Sequence, residues 1–290
     1  MKRFILSFAA ALALGVSSGA QAAPVCPTAA EILSAGPRLD AVLAKAVSES
    51  GDEIVRLSGL EGEKAEVLKK LLARYLRTAI GNELFLDQLH SACLNGTKTV
   101  FIRGWMMQHA RRNLWRLSFE DQQTMQGFLL AITSIMPDPN TCAGFHHRPG
   151  SVPESMLSAL TRKAYRLMSA DQLEALFGMI RRAAALEDTD EKPSDFDQET
   201  IREAWEDLFG LAKQQIARDF PPEEGKAIWE ALETGDKRSD EARCLADLEF
   251  LLAIQELRGT SARVIMQTLS NGISAAAMKE GYAGLPASGQ

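Results

Sequence analysis

The chain has 290 residues, 46% hydrophobic and 24% charged, with a formal net charge of −6. That composition excludes a disordered chain, a collagen-like fibre and a disulfide-dense miniprotein, and the length is ample for a sizeable buried core. No apolar run reaches the roughly 18 to 20 residues of a membrane span, and an acidic chain lacks the broad positive surface that phosphate binding needs.

The first 22 residues have the layout of a signal peptide. Lys2 and Arg3 precede an uncharged apolar run, Phe4 to Val16, and Ala20-Gln21-Ala22 is a small-x-small cleavage pattern. The mature chain is therefore expected to begin at Ala23 and to reside in the periplasm or outside the cell. Cys26 follows Ala23-Pro24-Val25, which is not the aliphatic-small-small triplet that precedes lipid attachment. Loss of Lys2 and Arg3 lowers the formal net charge from −6 to −8.

Residues 23–290 predict one all-α domain, with two lobes, 23–136 and 151–290, as a variant. Glu61 to Leu94 carries Val67, Leu68, Leu71, Leu72, Tyr75, Leu76 and Ile80 at helical spacing. Thr97 to Arg116, Phe119 to Met136, Val152 to Met168 and Ala170 to Leu186 follow. Ser194 to Arg218, Pro222 to Leu232, Asp240 to Leu257 and Thr260 to Met278 complete the series. No segment alternates as a strand would. The expected architecture is a multi-helix bundle or an irregular stack of helical hairpins, roughly nine to ten helices in all. The breaks are Pro137 to Pro153, read as a loop containing His146-His147, and the acidic run Glu187 to Asp197.

Arginines close several helices and acids open the next, as at Arg56, Arg116, Arg166 and Arg218. This punctuation suits the helix dipole at both ends. The intervals of 60, 50 and 52 residues would also fit a hairpin repeated four times. The segments Arg166-Leu167-Met168-Ser169-Ala170-Asp171-Gln172-Leu173 and Asp219-Phe220-Pro221-Pro222-Glu223-Glu224 resemble a group of exported bacterial helical domains of unknown function. The resemblance implies helices and export, and no activity.

Catalytic and cofactor signatures are absent. There is no C-x-x-C, H-x-x-x-H, H-E-x-x-H, G-x-S-x-G, phosphate loop or dinucleotide fingerprint, so no metal or cofactor is expected. The acids Asp188, Asp190, Asp195, Asp197 and Glu199 lack the glycine of a calcium loop. Ala46-Val47-Ser48-Glu49-Ser50-Gly51 is similar to the acid-bearing segment of lysozyme-like lytic transglycosylases. The companion glycine-leucine-methionine-glutamine segment is missing, and the chain has only three tyrosines to line a sugar cleft.

Charge and tryptophan placement point instead to protein binding. Residues 101–182 hold ten basic against six acidic side chains, and residues 183–250 hold eight against twenty. Arg103, Trp105, Arg111, Arg112 and Trp115 lie in the basic half, and Glu203, Trp205, Glu206 and Asp207 in the acidic half. Tryptophan and arginine are the residues most enriched at binding hot spots. The expectation is an exported protein that binds another protein, as an immunity protein or inhibitor of a toxin or cell-wall enzyme. A periplasmic chaperone or scaffold subunit has the same features. A hydrolase with a site near residues 142–153 is the rival from another class.

Four cysteines in an oxidising compartment suggest two disulfides. If 97–116 and 119–136 fold back as a hairpin, their open ends bring Cys93 to Cys142 and leave Cys26 for Cys244. Oligomeric state has no sequence signature here.

Overall fold

The computed structural model describes residues 28–34, 60–82, 84–87, 90, 105, 108–148, 151–187, 196–234 and 239–280. Among these there is no strand. Ten α-helices are described: α1 (Ala29–Ser34), α2 (Gly62–Ile80), α3 (Phe119–Thr133), α4 (Pro139–His147), α5 (Glu154–Leu167), α6 (Ala170–Ala184), α7 (Gln198–Asp219), α8 (Pro222–Thr234), α9 (Asp240–Glu256) and α10 (Gly259–Glu280). A 3₁₀ turn, Leu114–Arg116, ends the helical stretch 108–113. The all-α expectation is met. No described helix is long and apolar enough to cross a membrane.

Local chemistry sets most helix starts. Ser118, Ser169, Asp197 and Ser239 each accept a backbone N–H from the first turn of α3, α6, α7 and α9. Ser169 and Gln172 complete a capping box. Arg166 and Arg218 stand in the last turns of α5 and α7, where the dipole favours a cation. Gly259, with φ at 70°, makes the sharp entry into α10 that a side chain would strain.

One expectation is corrected at α4. The segment 137–153 was expected to be a loop, yet Pro139–His147 is helical. Asp138 caps it through Thr141, and Pro139 supplies the fixed φ of a first helical turn.

The described chain divides into two compact units that interleave along the sequence. One draws on 1–117, 168–192 and 273–290, the other on 118–167 and 193–272. In the first, α2 packs against α6, burying Leu68, Leu71 and Tyr75 with Leu173, Leu176 and Ile180. Asn82 stitches this unit with side-chain bonds to the carbonyls of Ala184 and Leu186.

The second unit centres on α9, which contacts α3, α4, α7 and α8. Its main core joins Ala204, Leu208 and Ala212 of α7 to Leu251 and Ile254 of α9 and Val264 and Ile265 of α10. A smaller core joins Ile216, Ile228, Ala231, Ala242 and Ala246.

The cysteine pairing is also corrected. Cys142 on α4 bonds Cys244 on α9, across 102 positions of sequence. This overturns both expected bridges, Cys93–Cys142 and Cys26–Cys244. The chain passes from one unit to the other at Leu117–Ser118, the joint across which the hairpin was expected. Cys26 and Cys93 lie outside the described residues.

Candidate functional site

The acidic segment folds into α7, α8 and α9, which together carry fourteen acidic and five basic side chains. Along them runs a row of half-buried aromatic rings. Trp205 is stacked 5.9 Å from Phe250 and tilted 5.6 Å from Phe209, and Phe209 stands edge-on to Trp229 at 6.2 Å. Lys213 lies over the Trp229 ring at 5.3 Å, a cation–π contact. Trp205 and Phe250 pack on the larger core and Trp229 on the smaller, so the row joins the two cores while keeping part of each ring at the surface.

The acidic residues singled out from sequence are distributed around α7. Glu203, Glu206 and Asp207 are exposed. Relative to Trp205 they lie about 160°, 100° and 200° round the helix. Glu206 is therefore the one nearest the aromatic row, and it pairs with Arg202 at 2.6 Å. Asp207 accepts the Ser261 hydroxyl of α10. The structure brings Trp205 and Glu206 to one region and turns both Glu203 and Asp207 away from it.

The basic group from sequence sits in the other unit and is largely internal. Trp105 is 0% exposed, stacked 4.3 Å from His109 and edge-on to Phe85 at 4.8 Å. His109 is itself buried, with Nε2 2.9 Å from the Leu186 carbonyl. The same Nε2 lies 3.2 Å from the Asn113 amide nitrogen, so it donates to the Leu186 carbonyl in one tautomer and accepts from Asn113 in the other, and the Asn113 amide also donates to the His109 carbonyl. Arg112 is buried. Arg111 bonds Gln108, and the Trp115 backbone N–H donates to Ser274 Oγ. Trp105 has no surface to offer a partner. Arg103 lies outside the described residues.

The histidine pair lies at the end of α4. His147 Nε2 is 2.9 Å from Asp247 Oδ2, and Arg148 bonds Asp240 at 3.0 Å. Burial pushes the Asp247 carboxyl up to about 6 against the opposing pull of His147 and Arg243. Thr133 donates its hydroxyl to the Leu129 carbonyl, so it accepts from His146 Nε2, 2.9 Å away. Burial, with His147 adjoining, pushes His146 down to about 4, so this ring is neutral near pH 7. A histidine held by a carboxylate is half of a general-base arrangement. The other half is not assembled, because no hydroxyl or thiol among the described residues bonds the His147 ring. Cys142 and Cys244 are consumed in their bridge. Among the described residues no group of three or more His, Cys, Asp or Glu is placed to hold a metal ion.

The sequence gives no sign that Glu249 is buried. Glu249 of α9 is 5% exposed, and its Oε2 has no hydrogen-bond partner. Gln215 Oε1, on the adjoining α7, is likewise buried and unpartnered. Burial raises the Glu249 carboxyl, the Asp219 carboxylate adds to the rise, and Arg218 opposes it. The unfolded chain thus ionises before the folded one as pH climbs, so stability is full below the ordinary carboxylate range and falls above it. Glu249→Gln should raise the urea midpoint near pH 7 and leave it unchanged near pH 3.5, where both forms are neutral. An equal shift at both pH values would refute the assignment to ionisation.

The chain matches no protein-family model, no curated protein and no solved structure.

Proposed function

We propose that this is an exported helical protein that acts by binding another protein, as a periplasmic immunity protein or inhibitor directed at a toxin or cell-wall enzyme. The supporting observation is the α7–α9 region, where half-buried aromatic residues run along three helices that carry fourteen acids and five bases, Glu249 alone of the acids being buried. Excess charge of one sign steers encounter with a partner of the other, and aromatic area supplies contact energy at small cost in side-chain entropy. The partner so favoured is basic at its contact surface.

The test is affinity capture from periplasmic extract, with the product of any adjacent gene as bait, followed by binding measurements on the captured protein. Glu206→Lys should weaken binding by about fivefold or more, and added salt should weaken the complex of the unchanged protein. Asp207 is left intact because it accepts from Ser261. Affinity indifferent to both changes would make the acids a solvated face and remove this reading of the surface.

A further inference from the structure

Helix α4 is nine residues long, too short to persist in water without outside support. The residues it buries fully are Cys142, Ala143 and Gly144, all with small side chains or none, and its one large apolar side chain, Phe145, is only half-buried. A side chain at Gly144 would meet Ser151 Oγ at 2.7 Å, so the helix also lacks room for a larger anchor there.

What holds α4 is covalent and polar, and most of it lands on one stretch of α9. Cys142 is joined to Cys244, His147 to Asp247 at 2.9 Å, and Arg148 to Asp240 at 3.0 Å. Positions 240, 244 and 247 share a helix face by their spacing of four and three. Arg243, on the same stretch, lies 3.6 Å from Asp240 and also acts on Asp247. One further tie, His146 to Thr133, runs to α3.

We propose that the Cys142–Cys244 bridge is a redox latch, whose reduction releases α4 from α9 while the remainder of its unit stays folded. The inference is independent of the binding function proposed above. In the oxidised chain the bridge keeps α4 beside its acids, so the His147–Asp247 hydrogen bond and the Arg148–Asp240 ion pair re-form after each opening as intramolecular contacts. In the reduced chain those pairs stand alone. Both are partly open to water, and such pairs contribute little by themselves. Closure converts two thiols into one S–S bond, with two protons and two electrons passing to a disulfide oxidant such as oxidised glutathione, which leaves as two thiols.

Native-state hydrogen exchange on the mature protein, with and without a phosphine reductant, tests this directly. Reduction should speed exchange in 139–148 by about tenfold or more beyond the change that the lost cross-link gives the core amides of α7 and α8. Oxidised glutathione should restore protection. Asp247→Asn should add to the opening in the reduced chain and do little in the oxidised one. Unchanged protection of 139–148 after complete reduction would overturn the latch. So would an equal fold-change throughout the unit, which would make the bridge a staple for the whole fold. The Asp247→Asn comparison reads the same release without touching either cysteine, and equal effects in both redox states would also count against it.

Discussion

Replacing Trp105 with alanine should destabilise its unit by about 3 to 5 kcal/mol, the range for truncating a buried tryptophan or phenylalanine. Trp105 is 0% exposed and one of the largest fully buried side chains. Its removal strips a stacked face from His109 and an edge contact from Phe85. His109 also holds the Leu186 carbonyl, so a cavity here loosens the tie between the 108–113 helix and the end of α6. Trp105→Phe should cost much less than the alanine change. Phenylalanine keeps most of the apolar contact, and it removes an indole N–H that is buried without a partner. Urea unfolding followed by far-ultraviolet circular dichroism gives both values. A loss below about 1 kcal/mol for the alanine variant would show that the site is not a packed core.

Joint replacement of Cys142 and Cys244 by serine should lower global stability by about 4 to 5 kcal/mol in the chain-entropy model, because the bridge spans 102 positions. The cost falls mainly on the unfolded ensemble and lowers the denaturation midpoint. The same loss of global stability speeds exchange of the core amides of α7 and α8, so the local release of α4 is read as the excess of the change in 139–148 over theirs. Peptide mapping of unreduced protein should first return Cys142–Cys244. If both remaining cysteines are oxidised, stoichiometry then leaves Cys26 with Cys93. Recovery of a Cys93–Cys142 peptide would refute the bridge on which both redox predictions rest.

The helical build was legible because it depends on neighbours in sequence. Leu68, Leu71 and Tyr75 recur at the helical interval, and Ser118, Ser169 and Asp197 stand where a first turn needs an acceptor. At α4 the prolines of 137–153 spell a loop and outweigh the helical signal of Asp138-Pro139, a cap followed by a first-turn proline. The tryptophans were harder. Trp105 and Trp205 both stand near arginines or acids in sequence, yet one is wholly internal and the other reaches the surface.

By itself the sequence determined the all-α class, most helix starts and the concentration of acid on what became α7 to α9. These are set by spacing and composition over a few turns. Only the tertiary structure decided which cysteines meet, which side of α7 carries Trp205 and Phe209, and where Trp105, Glu249 and His147 are placed. Each of those depends on contacts between residues remote in the chain. The units themselves are assembled from interleaved segments, so proximity in sequence, the basis of the hairpin expectation, was no guide to proximity in space.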